Sequence, residues 1–194
     1  VEQVAKDLPE KVVIEEAIAG TEQFNQIYEE VRREALSKPN NILATMTKLT
    51  QLCCYPRLID STYSDPQDAK IVRLLEILSN VKDSGNQKAI VFTTFTESLD
   101  LLKSIISRQL APNYISVIDG RVPPRNRLAV IEAFEAVDGF AVLCIHPSAG
   151  GVGLNITAAN HVIHFNRQWN PALEAQATAR AYRRGQEKNV FEYL

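Results

Sequence analysis

A chain of 194 residues that is 45% hydrophobic carries enough apolar material for one substantial core with room for a small appendage. It holds no run of about 18 apolar residues and no basic, apolar leader, so an intracellular protein is expected, in the bacterial cytoplasm or nucleoid or in a eukaryotic nucleus, rather than a membrane-spanning or exported one. The formal charge of −2 lies below that of a typical DNA-binding domain, which is basic.

Taken in chain order, Lys11 to Ala19 reads as extended. Thr21 then suits the cap of a helix whose apolar face is Phe24, Ile27, Tyr28 and Val31, ended by the break Ser37-Lys38-Pro39-Asn40. A second helix carries Ile42, Met46, Leu49 and Cys53 at spacings of four, three and four, and stops near Pro56. The polar stretch Asp60 to Asp68 marks a boundary. It separates a connector and helical segment over residues 1–66 from a main lobe over residues 67–194. From Ala69 the pattern becomes regular. Ile71, Leu74, Leu75 and Leu78 mark a helix, and Ala89-Ile90-Val91-Phe92 is a continuous apolar run that suits a strand covered on both faces. Leu99, Leu102, Ile105 and Ile106 mark the next helix, Tyr114 to Ile118 a strand, and Leu128, Ile131 and Phe134 another helix. Phe140 to Ile145 and His161 to Phe165 continue the strands. Asn170 caps a further helix that Pro171 opens, and Val190 to Leu194 is a last strand. The alternation predicts an α/β three-layer fold around a mainly parallel sheet. The three cysteines, Cys53, Cys54 and Cys144, have no zinc-ligand spacing and read as reduced core thiols, so no metal site is expected.

Charge is unevenly spread. Residues 1–35 carry four basic and nine acidic side chains, residues 36–160 twelve and eleven, and residues 161–194 five and three. The basic excess therefore gathers at the end of the chain, where the Pro171 helix is expected to run to Gly185 and to place Gln176, Arg180 and Arg183 on one face. Open parallel sheets bind ligands at the carboxyl ends of their strands. The residues that follow these strands are Thr93 and Thr94, Asp119-Gly120-Arg121, His146-Pro147-Ser148 leading into Gly150-Gly151-Val152-Gly153-Leu154-Asn155, and Asn166-Arg167. Hydroxyls, a guanidinium and bare backbone amides along one edge suit phosphates. Trp169 offers a flat face for stacking against a nucleic-acid strand or, alternatively, a hydrophobic staple for the helix that follows. Arg183 and Arg184 also stand where any cation meets a helix dipole well, and Thr93 and Thr94 where β-branched residues simply suit a strand. His146, His161 and His164 form no ligand-like group and read as packing or surface residues.

In order and spacing these segments resemble the C-terminal motor lobe of the Swi/Snf-family DNA translocases of helicase superfamily 2. Lys6-Asp7-Leu8-Pro9-Glu10-Lys11 is similar to the family's segment joining two motor lobes, and Ile42 to Pro56 to the helix packed before the second lobe. Lys88 to Phe95 resembles motif IV and Asp119 to Pro123, with Arg127, Ile131 and Phe134, the stretch after it. Ser148 to Trp169 resembles motif V and its neighbours, and Gln176 to Gln186 motif VI.

The resemblance implies a RecA-like lobe in which Arg180 and Arg183 are arginine fingers reaching ATP held by the other lobe. Gln176 would help to place them, and Gly153 would lie at the nucleotide. Thr93, Thr94, Arg121, Ser148, Gly150, Gly151, Asn155 and Trp169 would contact DNA. ATP and Mg2+ would be held mainly by the N-terminal lobe of the same polypeptide, since no G-x-x-x-x-G-K-[S/T] loop or acidic metal box occurs here. The partners implied are double-stranded DNA, that N-terminal lobe and a protein complex. The chain is expected to be a piece of a longer protein and inactive alone. Three positions depart from the family pattern: Ala179 and Asn166 where aspartates are common, and Arg184 where an aliphatic residue is usual. Ala179 leaves Arg180 without an orienting carboxylate. Rival readings are a nonenzymatic docking module for protein or nucleic acid on the same fold, and a dinucleotide enzyme, which would need G-x-G-x-x-G at the first strand.

Overall fold

The computed structural model describes residues 8–37, 42–63, 68–150 and 153–194. Lys6 and Asp7 of the connector segment lie outside these. Its contacts divide it into two compact units, Val1–Glu16 with Leu75–Leu194, and Ala17–Leu74. The division falls inside a helix beyond the Asp60–Asp68 stretch, of which residues 64–67 lie outside the described ones, and it gives the first strand to the larger unit.

The smaller unit is helical. Helix α1 (Glu22–Ser37) begins as its sequence predicts, with the Phe24 amide donating to Thr21 Oγ1 at 3.3 Å. Lys38, Pro39 and Asn40 of the expected break lie outside the described residues. Helix α2 (Ile42–Cys54) is turned relative to the expected stripe: Met46 and Cys53 are exposed, while Leu52 and Cys54 are buried. Its less exposed line is Thr45, Leu49 and Leu52, a spacing of four and three that is equally regular for a helix but opens on a polar residue, so hydrophobicity alone did not mark it. Cys53 is therefore not a core thiol. Asp68 starts helix α3 (Ala69–Asp83), accepting from the Ile71 amide at 3.0 Å and from the Tyr63 hydroxyl at 3.1 Å.

The larger unit is built on six parallel strands: β1 (Lys11–Ile14), β2 (Lys88–Phe92), β3 (Tyr114–Ile118), β4 (Ala141–Ile145), β5 (His161–His164) and β6 (Val190–Tyr193). Their order in the sheet is β1-β6-β5-β2-β4-β3, each neighbouring pair parallel. Every residue of β2, β4 and β5 is buried, which is why Ala89–Phe92 and Ala141–Ile145 are unbroken apolar runs rather than alternating ones. One face of the sheet, Ile90, Phe92, Leu143, Ile145 and Val162, packs with Ile131 and Phe134 of α5 (Pro124–Ala136) and Ala177 of α6 (Pro171–Thr178). Residues of the opposite parity, Ala89, Val91, Val142, Cys144 and Ile163, are also buried, so the three-layer expectation holds. Helix α4 (Thr96–Leu110) joins β2 to β3. Burial pushes the Cys144 thiol up to about 12, which makes it unreactive. Strand β2 lies between β4 and β5, so the chain passes across it on leaving β4. The loops at this switch point open on the carboxyl edge.

His161 opens β5, its ring stacked on Phe191 at 5.0 Å and on Tyr193 at 6.1 Å. Burial, with a smaller push from the Lys188 charge, lowers its pKa to about 4. Because the folded value lies below the ordinary one, the unfolded chain takes up the proton first. The stabilisation is complete above about pH 6.5 and is lost as pH falls toward 4. Between pH 7 and 4 the unfolding free energy is expected to fall by roughly 3 kcal/mol more than in His161→Phe. Identical pH slopes in urea titrations of the two proteins would contradict this.

Candidate nucleotide and nucleic-acid interface

The end of β2 is tied to the end of β5. Asn166 Oδ1 accepts from Thr93 Oγ1 at 2.9 Å and from the Thr94 amide at 3.0 Å, and its Nδ2 donates to Thr94 Oγ1 at 2.8 Å. Thr93 is 0% exposed and its hydroxyl also meets Ser98 Oγ at 2.7 Å. This corrects the expectation that Thr93 touches DNA: its hydroxyl points inward and fixes the strand end. Thr94 is partly exposed and its hydroxyl stays at the edge. Asn166 can both accept and donate here, which explains how an amide serves where the family favours a carboxylate.

The end of β4 is held by His146. Its Nε2 lies 2.8 Å from the Thr94 carbonyl, and its Nδ1 lies 2.8 Å from Ser148 Oγ and 3.2 Å from the Ser148 amide. A carbonyl only accepts, so Nε2 carries the proton and Nδ1 accepts from Ser148. His146 thus links the loops after β2 and β4. Arg127 clamps the neighbouring loops, donating to the Val122 carbonyl at 2.9 Å and to the Ala149 and Asp119 carbonyls. Arg121 is more than half exposed, yet it is already paired. Its Nη atoms form a two-pronged contact with Asp100 at 2.7 and 2.9 Å, and Nε donates to Asp119 at 2.8 Å. Hydrogen bonds to Asp100 and then Asp119 raise its pKa further. Gly150 closes a short 3-10 turn, Pro147–Gly150, while Gly151 and Val152 lie outside the described residues. Gly153 has φ +103° with open space around it, a conformation that other residues adopt only at a cost. Asn155 is exposed. Trp169 is 76% exposed, so it does not act as a staple on the helix that follows. The buried carboxylate of Glu174 holds the loop beneath it, accepting from Arg167 Nε at 3.0 Å and from the Gln168 amide at 3.1 Å.

The arginine segment differs from its expected form. Helix α6 begins as predicted, with Asn170 Oδ1 accepting from the Ala172 amide, but it stops at Thr178. Residues 179–185 form successive turns, with the Arg180 and Ala181 amides reaching back only three residues, to Ala177 and Thr178. The Arg180 carbonyl is taken by the Ile156 amide at 2.9 Å, and Gly185 adopts φ +98°. Gln176, Arg180 and Arg183 therefore do not share a helical face. Gln176 and Arg183 are exposed, and Arg180 is buried.

The Arg180 guanidinium lies 5.7 Å from the centre of the Phe92 ring, and its Nη2 donates to the Pro147 carbonyl at 2.5 Å. Nη1 is buried without a hydrogen-bond partner. Burial lowers its pKa without threatening its charge. The side chain is thus oriented by an aromatic ring and a carbonyl, not by a carboxylate at position 179. Gln186, which the sequence placed only as the end of the segment resembling motif VI, holds this region together. Its Nε2 faces the carbonyls of Thr157, Ala159 and Ala181 within 3.1 Å, and its Oε1 accepts from the Lys188 amide. It fastens the loop after β4 to the arginine turns.

Among the described residues no group of three or more His, Cys, Asp or Glu side chains could hold a metal ion, and no helix is long and apolar enough to cross a membrane. Residues 69–185 match the family described as the helicase conserved C-terminal domain. The chain belongs to that family. Among curated relatives, this helicase C-terminal domain is 35% identical over 199 residues to an uncharacterized ATP-dependent helicase of Mycoplasma pneumoniae, covering 98% of the chain and 19% of the relative. It is 32% identical over 211 residues to the Zorya protein ZorD of Escherichia coli, covering 99% and 19%. The chain spans about a fifth of the length of these relatives. The SWI2/SNF2 ATPase core of Sulfolobus solfataricus, solved in complex with dsDNA, superposes with a TM-score of 0.79 at 29% identity, over 100% of this chain and 42% of that one. The fold is the RecA-like C-terminal lobe of Swi/Snf-type ATPases.

Proposed function

We propose that this lobe is the second half of an ATP-dependent translocase of double-stranded DNA, supplying Arg180 and Arg183 to ATP held by a partner lobe while its strand-edge loops grip the DNA backbone. The observation that carries the proposal is the Arg180 guanidinium, oriented by Phe92 and Pro147 with Nη1 left unpaired in a buried site. A buried charged donor without a partner costs free energy, and a phosphate oxygen would satisfy it. Positive charge delivered there stabilises the charge that spreads over the γ-phosphoryl oxygens during transfer. Arg183, exposed in the turns that follow, would complete the pair, and Gln176 would steady it at the end of α6. Gly153 would bring its backbone close to the nucleotide. Thr94, Arg121, Ser148, Gly150, Gly151, Asn155 and Trp169 would meet the duplex along the carboxyl edge, contacting backbone rather than bases. The SWI2/SNF2 core solved with dsDNA supports this use of the fold. Mg2+ would be held by the partner lobe.

The 194-residue chain alone is expected not to hydrolyse ATP, and to bind duplex DNA weakly with an affinity that falls as salt rises. DNA-stimulated turnover by the isolated chain would overturn the division of labour. Affinity that is unchanged between low and moderate salt would favour a docking module.

A further inference from the structure

Glu192 is the third residue of β6 and only 5% exposed, a carboxylate in the interior of a sheet. Three donors surround it. Lys11 Nζ, from the adjacent strand β1, donates at 2.8 Å; the Thr178 hydroxyl donates to Oε1; and His164 Nε2 stands 3.5 Å away. Burial alone would raise the carboxyl pKa, but hydrogen bonds from His164, Lys11 and Thr178, with the Lys11 charge, hold it at about 2.

The direction of each bond follows from proton count. Thr178 has one hydroxyl proton and gives it to the carboxylate. His164 Nε2, 2.8 Å from Thr178 Oγ1, must then be a donor, so the ring carries its proton on Nε2. The His164 ring stacks on Phe92 with centroids 5.4 Å apart, and Phe92 is the ring beneath the Arg180 guanidinium. Thr178 is also the last residue of α6. The network therefore grips one support of the Arg180 guanidinium, the ring under its charge, and its backbone two residues earlier, where helix gives way to turn. A buried ion pair is rarely worth more to stability than an apolar side chain of similar size, and an apolar residue would fit β6 well. What the carboxylate adds is direction.

We propose that Glu192 is a positioning residue for Arg180. Through Lys11 it ties the end of α6 to strand β1, so that the chain entering β1 sets where the guanidinium stands. This rests on the reading of Arg180 as a nucleotide-facing arginine.

The test uses DNA-stimulated ATP hydrolysis by the full-length protein carrying Glu192→Val, Lys11→Met, Lys11→Arg or Arg180→Lys. Glu192→Val and Lys11→Met are expected to lower kcat about ten- to hundredfold, the penalty of a small misplacement of a catalytic group. KM for ATP and affinity for duplex DNA should stay within about twofold, because ground-state binding is untouched. Lys11→Arg, which keeps the charge, should recover most of the turnover. Lys11 is partly exposed, so its variants report even if Glu192→Val fails to fold. Unchanged kcat in Lys11→Met, losses that only follow the folded fraction, or no recovery with Lys11→Arg would each overturn the proposal. Arg180→Lys separates the two readings. If it turns over normally, the role of Arg180 itself has failed; if it collapses while Lys11→Met does not, only the positioning role has failed.

Discussion

In the full-length protein, Arg183→Ala is expected to lower kcat for DNA-stimulated ATP hydrolysis by about 10³-fold or more, the range seen when an arginine finger is removed, with little change in Tm or ATP affinity. The side chain is exposed and makes no hydrogen bond or ion pair among the described residues, so truncation should cost less than about 0.5 kcal/mol of stability. A finger acts on the transition state, so the loss belongs in kcat rather than in nucleotide binding. Arg184, its exposed neighbour, is the control: Arg184→Ala should retain near-normal turnover. Arg180→Ala should lower both turnover and stability. Its truncation leaves the Pro147 carbonyl without its donor and uncovers Phe92, at a cost of about 1 to 3 kcal/mol. Equal losses of activity from Arg183→Ala and Arg184→Ala, with parallel falls in Tm, would show the segment to be structural and the finger assignment wrong.

Gln186→Leu should be strongly destabilising, at about 3 to 5 kcal/mol. The side chain faces three carbonyls and caps one amide, and leucine would leave the carbonyls of Thr157, Ala159 and Ala181 in the interior without that donor. Urea unfolding measures it, with Gln176→Leu as the exposed counterpart expected to cost less than about 0.5 kcal/mol. A loss below about 1 kcal/mol for Gln186→Leu would mean that water or backbone adjustment replaces the amide.

The strands were legible because burial on both faces writes itself as a continuous apolar run, as in Ala141–Ile145. Helix starts were legible at Thr21 and Asn170 because capping is local. The end of α6 was not. Alanines at 172, 175, 177, 179 and 181 favour continuing the helix. What stops it comes from elsewhere in the chain: the Ile156 amide on the Arg180 carbonyl and the Glu192 carboxylate on Thr178. Thr93 was misjudged for the same reason. A hydroxyl just past a strand end faces ligand or interior according to its neighbours, and the deciding one, Asn166, is 73 residues away. The arginines themselves stood out because their spacing and the glycine beyond them are local in sequence, though their geometry is not.

Arg121 enters any encounter with DNA already engaged. Its fork is occupied by Asp100, and Asp119 sits behind it, so one cation faces two carboxylates and the cluster carries a net negative charge. A backbone phosphate arriving there finds no idle cation; it must evict Asp100 and take over the same N–H groups. Because the Arg121–Asp100 pair is itself exposed, water screens it and its net worth is small, so giving it up would cost little. If the lobe meets DNA as proposed, contact at this point would be easy to make and equally easy to break. Such a swap would contribute little to equilibrium affinity and much to the speed of letting go, as stepping from one phosphate to the next would require.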